Sequence, residues 1–315
     1  MFVLTWSIQS SFSMGFLIYW QFNGYINDLF NCLYMTPKIY KSTQPKISKA
    51  IIFAIFISTT AIINYFAAVL LYYFYPYLST IDLESLNTFR QPFLFPFSLG
   101  FLVYGFFIWN VVLTFYVIVS IVAYAKLNEF NEELKNIGKK DHHTDVIRFE
   151  LMQMFMKHIE NGKMIRTIDN TFEVYTFIMI GTNIPTTVFS LLSFFKALSD
   201  EWFIIIIIGP AIFFCLVELF NLTAVPAMLH QAINQVEKLI YRNSCIWDPY
   251  DEKIYQIALT LVTHVRQANL GISLWGFAVV SKPLILTTIS LITTYLALIL
   301  QLHPTVIQRV NGSVS

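Results

Sequence analysis

The chain has 315 residues, of which 56% are hydrophobic and only 12% charged, with a formal net charge of +1. Adding the 11 glycines brings the apolar share to about 60%, against ~45–50% on that count and ~25% charge in soluble domains. One soluble core cannot hide so many apolar side chains. Aromatics at 17% exclude a disordered chain, and the lack of a basic field excludes nucleic acid as a partner. Three distant cysteines, Cys32, Cys215 and Cys245, form neither a disulfide framework nor a CxxC pair.

A helix crosses the ~30 Å hydrocarbon core of a bilayer with ~20 mostly apolar residues, its backbone satisfied within itself. Six stretches qualify: 2–23, 50–75, 95–124, 174–198, 202–229 and 272–302. The first carries Ser7, Gln9, Ser10, Ser11 and Ser13, but neither a basic leader nor a small-residue cleavage site marks it as a signal peptide. The expectation is an all-α polytopic membrane protein, a single integral membrane domain over residues 1–315.

Basic residues in the connections set the orientation. The first connection carries Lys38, Lys41, Lys46 and Lys49, the third (125–171) eight bases, and the fifth (230–271) Lys238, Arg242, Lys253 and Arg266, which together make 16 of the 20. These connections are predicted to be cytoplasmic and both termini outside. An outside carboxyl terminus is opposite to that of a serpentine receptor coupled to a G protein. Nor does an acid-arginine-aromatic triplet follow the third span, where the sequence is Tyr124-Ala125-Lys126.

The third connection has no proline, and Leu127, Phe130, Leu134 and Ile137 recur at helical spacing. After a polar break at 138–144, Phe149, Met152, Phe155, Met156 and Ile159 do so again. The fifth connection repeats the design: Ile233, Val236, Leu239 and Ile240 continue the fifth span, 243–250 reads as a turn, and Tyr255, Ala258, Leu259, Val262 and Val265 share a face. The two segments predict a cytoplasmic helical bundle or a subunit interface. His142 and His143 lie in the polar break with no third ligand near them in sequence, so a metal site is not expected.

The last span ends Thr294-Tyr295-Leu296-Ala297-Leu298-Ile299-Leu300-Gln301-Leu302. This resembles the carboxyl-terminal signature of the insect gustatory and odorant receptor superfamily: Thr-Tyr, five apolar residues, Gln, then Phe or Leu. Family members have seven spans and an extracellular carboxyl terminus. The six spans here match the second to seventh in polarity and connection length, so the resemblance implies a first span that they do not include.

What the resemblance implies is a ligand-gated, non-selective cation channel, a homo- or hetero-tetramer with related subunits, pore-lined by the last span. It would sit in the plasma membrane of sensory neurons, with a small-molecule ligand and membrane lipid as partners. Gln301 would be a polar ring near the outer mouth, Leu298 the hydrophobic gate one turn below, and Leu302 the motif's last residue. Residues three apart share a helix face, and four leucines can dewet a narrow pore. The implied pocket lies among the outer halves of the first, second, third and fifth spans, where Tyr72, Tyr73, Tyr75, Phe97 and Phe101 are candidates. The competing reading of these rings is an aromatic belt at the interface. Glu218 and Lys282 are charges inside spans, which are costly; an ion pair between them or snorkelling of Lys282 are the two readings. Asn311-Gly312-Ser313 forms a sequon. No cofactor is implied, and no nucleophile, base and orienter recur at catalytic spacing, so an enzyme is not expected. The rival functions are a serpentine receptor signalling through a G protein and a transporter.

Overall fold

The computed structural model describes residues 2–34, scattered positions between 48 and 66, and residues 95–139, 143–197 and 202–302. They form α1 (Phe2–Phe22), α2 (Tyr25–Tyr34), α3 (Phe95–Lys135), α4 (Thr144–Ala197), α5 (Trp202–Arg242), α6 (Ser244–Trp247), α7 (Glu252–Ala268) and α8 (Lys282–Leu302). Among the described residues there is no strand, only one antiparallel bridge between Ser273 and Val279. Among the described residues four helices, Val103–Lys135, Thr144–Phe195, Ile212–Arg242 and Lys282–Gln301, are long and apolar enough to cross a membrane. The chain is an all-α, multi-pass membrane bundle. α1 packs beside these helices against α3 and α4. The predicted second span lies mostly outside the described residues.

α3, α4 and α5 have 41, 54 and 41 residues. At ~1.5 Å per residue they are ~60–80 Å long, twice the hydrocarbon thickness. Each therefore serves two cores. One, built on Trp20, Trp109, Tyr116, Phe172 and Tyr175, lies within the spans. The other gathers Phe130, Leu134, Ile147, Leu151, Val236, Ile240, Ala258 and Val262 beyond them. The second is the predicted helical bundle, and its corners are closed by specific chemistry. Gly138 turns the chain with φ +73°, and a Cβ there would lie 2.7 Å from that of Cys245. The Asn243 side chain caps α6 and donates to the Ile137 carbonyl at 3.1 Å. Asp251 caps α7 by accepting from the Ile254 N–H.

Several expectations shift. The returning cytoplasmic helix and the fourth span are one helix, α4, with Pro185 inside it. Leu127, Phe130, Leu134 and Ile137 face inward as predicted, but Phe149, Met152 and Met156 are exposed, and the buried row is Ile147, Leu151, Met154 and His158. On α7, Tyr255 and Leu259 turn outward while Ile254 and Leu261 join the core. Both segments are apolar on more than one side, and periodicity does not say which side finds a partner. α2 was not foreseen, although Ile26, Leu29, Phe30 and Leu33 have helical spacing.

The last helix starts at Lys282, ten residues later than predicted. Residues 269–281 instead fold back as a small hairpin, with Val280 N–H donating to the Ile272 carbonyl and Leu274 N–H to that of Ala278, both at 2.8 Å. Trp275 and Gly276 make its turn at φ 48° and 72°. The hairpin is clamped to α4, since the Asp169 carboxylate accepts the Ser273 N–H at 2.6 Å and the Trp275 N–H donates to the Glu173 carbonyl at 3.2 Å. His230 on α5 lies 3.0 Å from the Leu270 carbonyl. Pro283 falls in the first turn of α8, where a missing N–H removes no helical hydrogen bond.

Candidate functional site

The interior of the span bundle is aromatic because α1 (Trp6, Phe16, Trp20), α3 (Phe106, Trp109, Tyr116) and α4 (Phe172, Tyr175) turn rings inward at helical spacing, to which α5 adds Phe214. Trp109 is central: its ring centroid lies 4.7 Å from Phe214, 5.5 Å from Phe106 and 6.2 Å from Trp6. Phe106 in turn lies 5.2 Å from Phe214 and 5.8 Å from Trp6. These four rings pack against one another, with Trp6 contributed by α1 and Phe214 by α5. Against them runs a cleft between α1 and α3, lined by Trp6, Ser7, Ser10, Phe101, Gly105, Phe106 and Trp109. Gly105 permits that approach, since a Cβ would lie 2.3 Å from the Ser10 Oγ.

Behind these rings sits a polar centre. Glu218 on α5 is fully buried. Its Oε1 accepts the Trp109 indole N–H at 3.2 Å, and its Oε2 accepts from the Asn183 amide. Asn183 also donates to the Cys215 carbonyl at 3.3 Å, and its Oδ1 accepts from the Thr187 hydroxyl at 3.1 Å. The carboxylate thus has two neutral donors. Lys282, the partner considered from the sequence, is exposed, so the ion pair is replaced by this amide and indole network. Gln9 on α1 is equally buried, and neither its amide nitrogen nor its oxygen has a hydrogen-bond partner among the described residues.

The last helix differs. It meets α4 and α5 along one line, where Ile292 packs with Val188 and Leu219. Of its most apolar 18-residue window only 11% is buried, against 61% for α3. Tyr295 and Leu298 are 49% and 52% exposed, Thr294 and Gln301 are exposed as well, and Leu302 ends the helix. The Thr294 hydroxyl donates back to the Ser290 carbonyl at 2.8 Å.

Compared by sequence, the chain matches no protein-family model and no curated protein. Compared by structure, it is similar to the olfactory receptor OR5 of the insect Machilis hrabei, with a TM-score of 0.69 and 14% identity over 96% of this chain and 80% of that one. The same receptor in complex with eugenol gives a TM-score of 0.69 at 14% identity, over 95% of this chain and 79% of that one. The chain has the fold of an insect olfactory receptor.

Within this olfactory-receptor fold, the structure brings together only part of the predicted site. Phe101 lines the α1–α3 cleft while Phe97 is exposed, and Tyr72, Tyr73 and Tyr75 lie outside the described residues, as do His142 and the sequon at Asn311. Trp6, Gln9, Trp109 and Asn183 were not singled out from sequence. A signal was present in α1, where Trp6, Gln9 and Ser13 at spacings of three and four place polar atoms on the face that carries an indole.

A second cluster lies in the helical bundle beyond the spans. His158 on α4 is buried, its ring centroid 5.2 Å from His264 on α7 and 6.0 Å from Phe130. Burial, reinforced by the neighbouring His264, pushes the His158 imidazole down to about 4. No group of three potential metal ligands forms among the described residues.

Proposed function

We propose that the chain is a chemosensory receptor acting as a ligand-gated, non-selective cation channel of the plasma membrane in sensory neurons, with the last helix of each of four subunits around one pore. The observation that carries this reading is the contrast between α8 and the rest of the olfactory-receptor fold. An apolar spanning helix left 11% buried by its own subunit suits a position where other copies and a water-filled axis cover its remaining sides. Leu298 then serves as the gate and Gln301 as the polar ring one turn outward, since dewetting by leucine and coordination by amide oxygens are the two physical functions a narrow cation pore needs. Phe149, Met152 and Met156 on α4 with Tyr255 and Leu259 on α7 are exposed apolar residues of the cytoplasmic bundle and suit contacts between subunits. The ligand is a small, largely apolar molecule held in the aromatic interior, with hydroxyl and amide groups to orient it.

A receptor coupled to a G protein is disfavoured by the fold and by the distribution of bases, which favours an outside carboxyl terminus. The deciding measurement is current in excised outside-out patches from cells expressing the chain, bathed without cytosolic nucleotides. Ligand-evoked current that persists there supports a channel. Responses that vanish on excision and return with GTP would overturn it in favour of the serpentine reading, and labelling of a carboxyl-terminal epitope in intact cells checks the orientation independently.

A further inference from the structure

The polar contacts that position α8 lie at its base. Along its length α8 meets α4 and α5 through apolar side chains such as Ile292, and its threonine hydroxyls donate to its own backbone. Such contacts hold helices together without a donor and acceptor to fix their register. The hairpin at 269–281, which runs directly into Lys282, is held differently. On the α4 side the Asp169 carboxylate accepts the Ser273 N–H at 2.6 Å, and the Glu173 carbonyl accepts the Trp275 N–H at 3.2 Å. On the α5 side His230 Nδ1 lies 3.0 Å from the Leu270 carbonyl and its Nε2 2.9 Å from the Asn234 amide nitrogen. A carbonyl only accepts, so Nδ1 donates to it and Nε2 accepts from Asn234, which fixes the ring at both nitrogens.

The hairpin is therefore bonded to two different helices through Leu270 and Ser273, three residues apart. It has little slack between these pins: a Cβ at Gly271 would lie 2.4 Å from Val279 Cγ1 and 3.3 Å from His230 Nδ1. The same two helices are bonded again within the spans, where Asn183 of α4 donates to Glu218 and to the Cys215 carbonyl of α5. Asp169 is fourteen residues from Asn183 on α4, and His230 twelve from Glu218 on α5, rises of ~21 and ~18 Å. A helix carries an axial shift along its length, and small shear of packed helices is a common form of conformational change. A displacement of α4 against α5 at the polar centre thus reaches the hairpin as a pull between Asp169 and His230.

We propose that the hairpin is the coupling element of this receptor, and that Asp169 and His230 are positioning residues that tie the base of α8 to α4 and α5, so that a shift of one helix against the other moves α8. The inference rests on reading α8 as the pore helix and adds the route by which the interior of the spans reaches it.

The test is a double-substitution cycle on the full chain purified in detergent, read by hydrogen exchange in the first two turns of α8, with α3 as the reference for a general loss of stability. Asn183→Ala loosens α4 from α5 at the polar centre, about 20 Å along α4 from the Asp169 pin. Relative to α3 it should speed exchange at the base of α8 about fivefold or more. Asp169→Ala should do the same, and in that background Asn183→Ala should add less than about twofold, because the route is already cut. Asp169→Asn keeps an oxygen that accepts the Ser273 N–H and should restore the response to Asn183→Ala, which a side chain serving only to fill space has no reason to do. His230→Ala breaks the other pin and should give the same cycle, so it decides the matter if Asp169→Ala fails to fold. Additive effects, or an Asn183→Ala effect that never reaches the base of α8, would overturn the proposal. The pore reading is separable through current from cells expressing the unsubstituted chain. A coupled cycle in a chain that carries no current would break the pore reading and leave the hairpin as the link between the helices; current together with additive cycles would do the reverse.

Discussion

α3 and α8 are both apolar helices of spanning length, with mean hydropathies of 2.3 and 2.0 over their most apolar windows, yet one is enclosed by its own chain and the other nearly bare. Lipid is as apolar as leucine, so hydropathy cannot tell them apart; what separates them is the pattern of large and polar side chains. α3 places Phe106, Trp109 and Tyr116 on its buried side, where the Trp109 indole donates to Glu218 and the Tyr116 hydroxyl to the Leu222 carbonyl, both on α5. α8 offers Thr287, Thr288, Thr293 and Thr294, whose hydroxyls all donate to carbonyls one turn back on the same helix. These hydroxyls are satisfied before any neighbour arrives, which leaves their surface equally compatible with lipid, another subunit or water. A helix that must move during gating gains from carrying few obligatory partners, whereas one that shapes a pocket gains from many.

The sharpest test of this difference is truncation of a ring in each helix. Trp109→Ala removes a side chain that is 1% exposed and touches three other rings, and should cost about 3–5 kcal/mol. Tyr295→Ala, at a half-exposed position on α8, should cost under about 1 kcal/mol. Thermal unfolding of the detergent-solubilised chain measures both, and equal losses would mean that α8 is as firmly packed as α3.

The next largest effect separates the helical bundle beyond the spans from the spans themselves by pH. The folded state holds the His158 imidazole at about 4, below the ~6.5 of the unfolded chain. A group depressed in this way contributes its full stability above pH ~6.5 and loses it as pH falls toward 4. Between pH 7.5 and 5 the bundle should lose about 2 kcal/mol, seen as a lower unfolding midpoint. His158→Met should flatten that dependence; an unchanged slope would assign the acid sensitivity to other groups.

A smaller change probes the polar centre. Asn183→Ala deletes one of the two donors to Glu218 and a donor to the Cys215 carbonyl, and should destabilise by about 1–2 kcal/mol. Thr187→Val, which removes only the hydroxyl that donates to Asn183, should cost less. The reverse order, read from the same unfolding curves, would mean that Asn183 is held by packing and not by the carboxylate.

The helical architecture was legible because both signals that specify it, apolar runs of spanning length and the 3.6-residue period beyond them, reside in consecutive residues. α1, the long α3 and the bundle elements α5 and α7 follow from that. The helix start at Lys282 did not, because 272–281 is as apolar as a span, and only the left-handed positions at Trp275 and Gly276 and the Asp169 clamp turn it into a hairpin. Which face of α4 and α7 turns inward was also hidden, since Phe149 and Leu151 are alike in sequence and differ only in their neighbours. The polar centre joins Glu218 to residues 109 and 35 positions away. The sequence marked the costly charge, but spacing along one helix cannot show what two others bring to it.

The last prediction concerns a substitution that stability should scarcely register. Leu298 is half exposed within one subunit, so Leu298→Ala leaves no cavity in the folded chain and should alter its stability by no more than about 0.5 kcal/mol. If four copies bring Leu298 together, each loses a branched side chain at the narrowest apolar ring, the ring widens and rewets, and basal current rises in the absence of ligand. If α8 faces lipid instead, the same substitution exchanges one apolar surface for another and neither measurement changes. Normal stability with raised basal current is therefore the signature expected of a gate, and normal stability with unchanged current at equal surface expression would remove Leu298 from the pore.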